Sequence, residues 1–478
     1  MGTINLTRLS AWTAFFVICF TSLWLFGKSD ANAATKIDAS PATVIARSGL
    51  PQGVAVDFGP APKSPTGALS TKTIEALDTA FGDFGSGNWG AAQRSAMRHI
   101  ARSKDPRLAW IISDAMRFVG SPGELGDLVP TLNTLLGTNL KGLDAWNDSV
   151  NHLIAWDIPA PPDYLRYKRD IYTSILPQWA PLFQPGTIDW RHVAWGGVRI
   201  DDRPFDKTDE RCNCIPAADN PEVTNAKNAD WLTEDAVVFG ISLNGEHRAY
   251  PRQIMEVREM VNDTLGGRDL GIPYCTLCGS AQAWFTDDVP EGVERPILRT
   301  SGLLIRSNKV MYDLVSQSVF DTFLGTAVTG NLGRRGVQLS QASVITTTWG
   351  EWKAAHPDTT VLAERLALGR NFNFREGRDA NGPIFPIGNA DPRLAVQEDV
   401  LGVVTKAGTP LAFHIPSVIA ALNADKTVQV GDVKVVLDSG GVKAIDTEGN
   451  DLGTHQAFWF AWSQFHPDTK LWPTESNI

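Results

Sequence analysis

From about residue 72 to residue 173, apolar side chains recur at three- and four-residue steps, the period of helices with one buried face. The clearest case is Leu108, Ile111, Ile112, Ala115 and Phe118. Asp105 before it suits the N-cap and Pro106 the first helical position. The same spacing predicts helices over 74–84, 91–102, 125–136, 143–156 and 164–175, with Gly, Pro or Asp between them. Such short consecutive helices predict an α-hairpin array, loosely like HEAT-type repeats but without a fixed period. A helical cap on the next domain is a plainer role for it than an independent binding surface.

After Pro185 the pattern shortens to β-rich runs broken by Gly, Asn and Asp. Val237–Leu243, then Asn244-Gly245, then 246–250 predicts a hairpin, because Asn-Gly supplies the positive φ angles of a tight turn. Further strands are expected at 303–305, 310–312, 403–404, 428–430 and 433–437. One motif occurs twice here: Trp349-x-x-Trp352-x-x-x-His356-Pro-Asp-Thr359 returns as Trp459-x-x-Trp462-x-x-x-His466-Pro-Asp-Thr469. Trp residues three apart share a helix face, and Pro stops the helix at the His before it. A helix-stop role for His356 and His466 is therefore preferred to a ligand or proton-transfer role. The repeat leads to the expected fold class: α+β, a helical array followed by a duplicated, mainly antiparallel β-rich domain with short helices. The expected segments are a signal at 1–33, a flexible lead-in at 34–71, helices at 72–185 and the β-rich domain at 186–478, with copies at about 198–365 and 385–472.

The signal rests on Arg8, the apolar run at 11–26 and a small-x-small cleavage site at Ala31-Asn32-Ala33. It predicts a periplasmic or secreted protein with no membrane span after cleavage, an uncleaved anchor being the other outcome. Charge adds one exclusion. A net charge of −10 disfavours nucleic acid, whose phosphates need clustered cations. Sixteen Trp is unusual, and buried anchors are a commoner use for them than exposed stacking platforms.

The chemistry concentrates in Tyr274-Cys275-Thr-Leu-Cys278-Gly279-Ser280-Ala281, with a second close pair at Cys212 and Cys214. Loss of Cys19 with the signal leaves these four. Three readings stay open. Cys212, Cys214, Cys275 and Cys278 bind a thiophilic metal, Zn or Cu, with His247 able to replace one sulfur. Alternatively they form structural disulfides, cross-paired because a Cys212–Cys214 ring is strained. In the third, Cys275 attacks as a thiolate and Cys278 resolves it. The last loses weight because 279–284 reads as strand, not helix. A non-catalytic envelope scaffold, meeting an envelope protein rather than a small molecule, is the rival from another class. Asp201, Asp202, Asp206, Asp209 and Glu210 form an acidic cluster better read as a solvated loop than a Ca²⁺ site. Ser301, Ser307, Asn308, Tyr312 and Asp313 are candidates for a polar pocket, though turn roles are commoner.

Several of these stretches resemble one family. They are Ile215-Pro-Ala-Ala-Asp219-Asn220-Pro221, Asn244-Gly245-Glu246-His247-Arg248-Ala249-Tyr250-Pro251, Val261-Asn262-Asp263, the Tyr274–Ala281 stretch, Ser301-Gly302-Leu303-Leu304 and Met311-Tyr312-Asp313. In order and spacing they resemble the domain-of-unknown-function family DUF3179 over about residues 198–472. The resemblance implies a bacterial exported or membrane-associated protein and carries no established activity. This chain departs from the family in lacking its usual His before Val261-Asn262-Asp263. The segment reads Glu256-Val257-Arg258-Glu259-Met260, and His247 is a candidate substitute.

Overall fold

A computed structural model describes residues 50–142, 144–207, 212–363 and 382–473. The expected signal with Cys19, most of the lead-in, Asp209 and Glu210 lie outside the described residues. Two compact units form: one from Phe58–Pro177, the other from Pro51–Asp57 together with the chain from Gln178 onward.

The first unit holds helices Thr71–Phe81, Ala91–Ser103, Ala109–Met116, Pro122–Leu136, Ala145–Ala155 and Tyr164–Ile175. Local capping fixes their starts. Ser70 accepts from Thr73 N–H, and Ser121 from Glu124 N–H. Asp105 caps a 3-10 turn, Pro106–Leu108, that leads into the third helix. Leu77, Ile100, Ile111, Ile112, Leu132, Leu153 and Ile171 are completely buried. One charge pair is buried with them, Lys168 Nζ lying 2.5 Å from Asp114 Oδ1 with Tyr164 OH 2.7 Å from Oδ2. Burial pushes the Asp114 carboxyl up, and Lys168 only partly opposes this. Among the described residues no helix is long and apolar enough to cross a membrane.

The second unit corrects the expected fold class. It is not a duplicated antiparallel domain but a propeller-like arrangement of five small sheets. Parallel pairs occur in three of the five sheets, Thr360↔Arg248, Leu411↔Lys470 and Ala218↔Val261. What the sequence repeat marks is smaller than a domain. In one sheet the strand order is Ile345–Thr348, Val237–Leu243, Glu246–Pro251, Thr360–Leu362 and Val223–Asn225. In another it is His455–Phe458, Asp399–Val404, Pro410–His414 and Lys470–Trp472. In each, a helix carrying the two Trp crosses from one edge of a hairpin to the other. The second Trp lies flat on a hairpin glycine. A Cβ on Gly240 would sit 2.2 Å from the Trp352 ring, and one on Gly402 2.0 Å from that of Trp462. The indole N–H groups then bond Thr359 Oγ1 (2.9 Å) and Thr469 Oγ1 (2.8 Å), pinning the turn that sends the chain back as a parallel strand. His356 and His466 stand one residue past helices Trp349–Ala355 and Trp459–Phe465, each N–H closing the last turn at 2.9 Å. Trp349, Trp352, Trp459 and Trp462 are all buried.

The other three sheets share no such motif. One runs Val428–Val430, Val433–Asp438, Gly441–Ile445. Another runs Val193–Trp195, Leu298–Ile305, Asn308–Asp313, Val319–Asp321, Thr326–Ala327. The last runs Gln341–Ala342, Ala283–Phe285, Arg268–Cys275, Met260–Leu265, Ala218–Asp219, with Ser280–Ala281 on Arg268–Cys275. These last two meet at the dithiol.

A buried dithiol as the candidate functional site

Strand Arg268–Cys275 is buried from Leu270 onward, so it delivers Cys275 into the interior. The chain then turns within the Cys-x-x-Cys segment. Cys278 N–H donates to the Cys275 carbonyl (3.1 Å), and Gly279 takes a φ of +60°, which favours glycine. A Cβ at Gly279 would lie 3.0 Å from the Phe458 ring, whose own N–H donates to the Cys278 carbonyl at 2.8 Å. The chain returns antiparallel, with Cys275 opposite Ser280 and Tyr274 opposite Ala281. The thiols therefore sit on a hairpin and not at a helix N-terminus.

Cys275 and Cys278 are unbridged, 2% and 0% exposed, with Sγ atoms 3.1 Å apart. The turn Arg306-Ser307, with both residues at positive φ, presents the Ser307 carbonyl to both sulfurs, 3.5 Å from Cys278 and 3.9 Å from Cys275. Asn308 Oδ1 is 3.3 Å from Cys278 Sγ. Beside them lies a buried ion pair, Lys309 Nζ to Glu259 Oε2 at 2.5 Å. The Glu259 carbonyl accepts from Lys309 Nζ (2.8 Å) and Tyr274 N–H (3.0 Å).

This environment separates the thiols. Burial pushes Cys275 up. Against it stand a hydrogen bond from Cys278, the Lys309 ammonium and the Lys309 N–H, and the balance holds Cys275 below the usual thiol range. Burial pushes Cys278 well above that range, and its hydrogen bond to Cys275 and the Cys275 charge push it further. Of the two thiols, Cys275 is thus the more easily ionised.

The expected four-sulfur cluster does not form. Cys212 and Cys214 are bonded to each other, overturning the expected cross-pairing; their Cα atoms are 5.1 Å apart, within the range a disulfide spans. Asp201 joins them in a group of ligand-type atoms within 4.8 Å, the only one of three or more among the described residues. It does not include Cys275, Cys278 or His247. Both its sulfurs are held in the disulfide. The Asp201 carboxylate already accepts from Arg203 Nε (2.6 Å) and Ala217 N–H (2.9 Å). His247 is stacked on His356, ring centroids 3.9 Å apart, and its Nδ1 lies 2.7 Å from Ser242 Oγ.

The polar-pocket candidates divide. Ser301 donates to the Val310 carbonyl, Tyr312 to the Asp201 carbonyl, and Asp313 accepts from Ile297 and Ser316 N–H groups. These hold strands and turns together. Ser307 and Asn308 instead face the thiols. Of the acidic cluster, Asp202 is exposed and Asp206 accepts from Asn220 Nδ2 at 2.7 Å. Sequence reasoning missed Lys309 and Glu259 as site residues. The one available signal was the departure at Glu256–Met260, which falls beside the thiols. It also missed buried His455, whose Nδ1 is 3.0 Å from Gln341 Nε2 and whose Nε2 is 3.5 Å from Gln282 Nε2.

Fold and site together define a two-unit protein whose larger, five-sheet unit encloses an unbridged Cys-x-x-Cys pair. The chain belongs to the family described as "Protein of unknown function (DUF3179)", whose profile matches residues 212–453 and so takes in all four cysteines of the two pairs. No curated protein and no solved structure matches it.

Proposed function

We propose that this is an exported thiol-redox protein in which Cys275 and Cys278 interconvert between dithiol and disulfide. The observation that carries it is the pair itself: sulfurs 3.1 Å apart, one thiol pushed down and the other up. A disulfide needs about 2.05 Å, so closing the bond asks for roughly 1 Å of movement. Cys275 supplies the nucleophile and Cys278 the second sulfur. The bonded Cys212–Cys214 pair and the leader-like 1–33 segment support an oxidising compartment.

Protein equilibrated in thiol–disulfide buffers between about −300 and −120 mV, acid-quenched and alkylated, tests this by peptide mass. Cys275 and Cys278 should lose both thiols together with a two-electron slope, while Cys212–Cys214 is followed on its own peptide. Two free thiols at every potential would sink the proposal.

A second reading has one observation in its favour. Asn308 Oδ1 and the Ser307 carbonyl bring oxygen donors beside the sulfurs, a set able to complete a soft-metal clamp. Anaerobic purification followed by elemental analysis decides it: about one equivalent of Zn or Cu, lost in Cys275→Ser, would favour the clamp.

A further inference from the structure

Three buried polar atoms on residues that pair with or touch the two cysteines have no hydrogen-bond partner within the described residues: Ser280 Oγ, Ser307 Oγ and Asn308 Nδ2. All three residues are at most 2% exposed. Each such atom costs about 1–3 kcal/mol if left unpaired, so buried groups of this kind normally hydrogen-bond ordered water or a small guest that takes its place. Their positions are not scattered. Ser280 is the strand partner of Cys275, Ser307 offers its carbonyl to both sulfurs, and Asn308 holds Cys278 Sγ with the other arm of the same amide.

The chemistry of the guest follows from what these atoms are. Two hydroxyls and an amide N–H₂ are neutral, and two of the three can both donate and accept. The cation beside the sulfurs, Lys309, is already held by the Glu259 side chain and carbonyl. A negatively charged guest thus finds no free cation among these groups. Burial limits the size: residues only 2% and 0% exposed exclude a protein disulfide and favour the smallest reagents. A two-electron oxidant that is small, neutral and made of hydrogen-bonding oxygens is a hydroperoxide.

We propose that the oxidant of this dithiol is a small hydroperoxide, with Asn308 and Ser280 as its binding groups; this rests on the redox reading above. Cys275 sulfur attacks the terminal oxygen of HO–OR. The S–O bond forms, the O–O bond breaks, and the electron pair leaves on RO⁻. That oxygen takes up the proton Cys275 gave up on ionising and departs as ROH. Asn308 N–H and the Ser280 hydroxyl are the donors available to the charge growing on it. Cys278 sulfur then attacks the sulfenic sulfur of Cys275. The S–S bond forms, the S–O bond breaks, and the hydroxyl leaves with the Cys278 proton as water. Overall, dithiol plus ROOH gives disulfide, ROH and water.

The test is a single turnover of the reduced full chain with hydrogen peroxide, cumene hydroperoxide or oxidised glutathione at equal concentration. Thiol loss at Cys275 and Cys278 is read by mass. Hydrogen peroxide should oxidise the folded protein at least tenfold faster than the same protein unfolded in urea, and the two bulky oxidants should lag behind it. Asn308→Ala should slow the peroxide reaction about tenfold or more. Ser280→Ala, which removes only a hydroxyl, carries the same test if Asn308→Ala fails to fold. Cys278→Ser should stop at a sulfenic acid that dimedone traps. If peroxide acts no faster on the folded than on the unfolded chain, or if oxidised glutathione keeps pace with it, the hydroperoxide proposal fails while the redox reading stands. A pair that never closes in thiol buffer removes the redox reading itself.

Discussion

Gly402→Ala should damage the second unit far more than a one-carbon change suggests. The added Cβ would lie 2.0 Å from Cζ3 and 2.1 Å from Cε3 of Trp462, against an ordinary contact that begins at 3.4 Å. The ring must therefore retreat by 3.4 − 2.0, about 1.4 Å, or the strand must bend away. Retreat is obstructed, since Trp462 is 1% exposed and tied to Thr469 Oγ1 at 2.8 Å. A 1.4 Å shift breaks that bond. Overpacking of this kind costs about 1–3 kcal/mol, and an unpaired buried indole N–H about 1–3 more, so roughly 2–6 kcal/mol is expected. The measurement is urea unfolding followed by Trp fluorescence, with Gly126→Ala as reference. Gly126 has open space for a Cβ and sits inside helix Pro122–Leu136, so that change should be neutral or slightly stabilising. Gly240→Ala, 2.2 Å from Trp352, should behave like Gly402→Ala. Trp462→Leu combined with Gly402→Ala should cost less than the two changes summed, because they share one contact. Loss of under 1 kcal/mol in Gly402→Ala would refute the claim that the flat Trp dictates glycine there.

The remaining predictions concern charge. Burial, then the charge of His466, holds His455 down to about 3, and burial holds His466 down to about 4, so below pH 6.5 the unfolded chain binds protons the folded one refuses. Stability should fall by about 1.4 kcal/mol per pH unit for each. Burial lifts Asp321 to about 6, which opposes one of them between pH 6 and 4. His455→Gln should therefore flatten the fall of the urea midpoint over that window; parallel profiles would contradict the assignment. Asp219→Asn strips a fully buried Arg299 of its two-pronged partner and should cost about 3–5 kcal/mol in a thermal melt, whereas Asp287→Asn at the more exposed Arg268 pair should cost under about 1. Lys309→Met leaves the Glu259 carboxylate beside Cys275 without its cation, so the Cys275 thiol should rise, and the ultraviolet absorbance of its thiolate should appear at higher pH when the folded protein is titrated; an unmoved titration would contradict the role given to Lys309.

Local signals in the sequence carried as far as local physics does. Asp105-Pro106 and the apolar spacing behind it announced a helix start, and Asn244-Gly245 a hairpin, with Asn244 and Gly245 both at positive φ. The Trp–His repeat correctly marked helix stops. It misled on scale, because two sheets built alike say nothing about three sheets without the motif. Which sulfurs meet was not legible. Spacing of two allowed Cys212–Cys214 to close, and no residue pattern distinguished that from cross-pairing. Lys309, Glu259 and Ser307 reach the thiols from strands and turns remote in sequence, so only the folded topology assembles them. His247, chosen as a substitute ligand, lies on a hairpin against His356 instead.

The parallel return after each Trp helix has a consequence during synthesis. Strand Pro410–His414 gains its outer neighbour only when Lys470–Trp472 has crossed over behind Trp459–Phe465. A nascent polypeptide extruded only as far as Phe465 therefore carries a bare row of amides and carbonyls along Leu411–Phe413, open to any passing strand. Holding that edge covered until about seven more residues emerge is work a chaperone would have to do, and a truncation there should yield inclusion bodies in place of soluble protein.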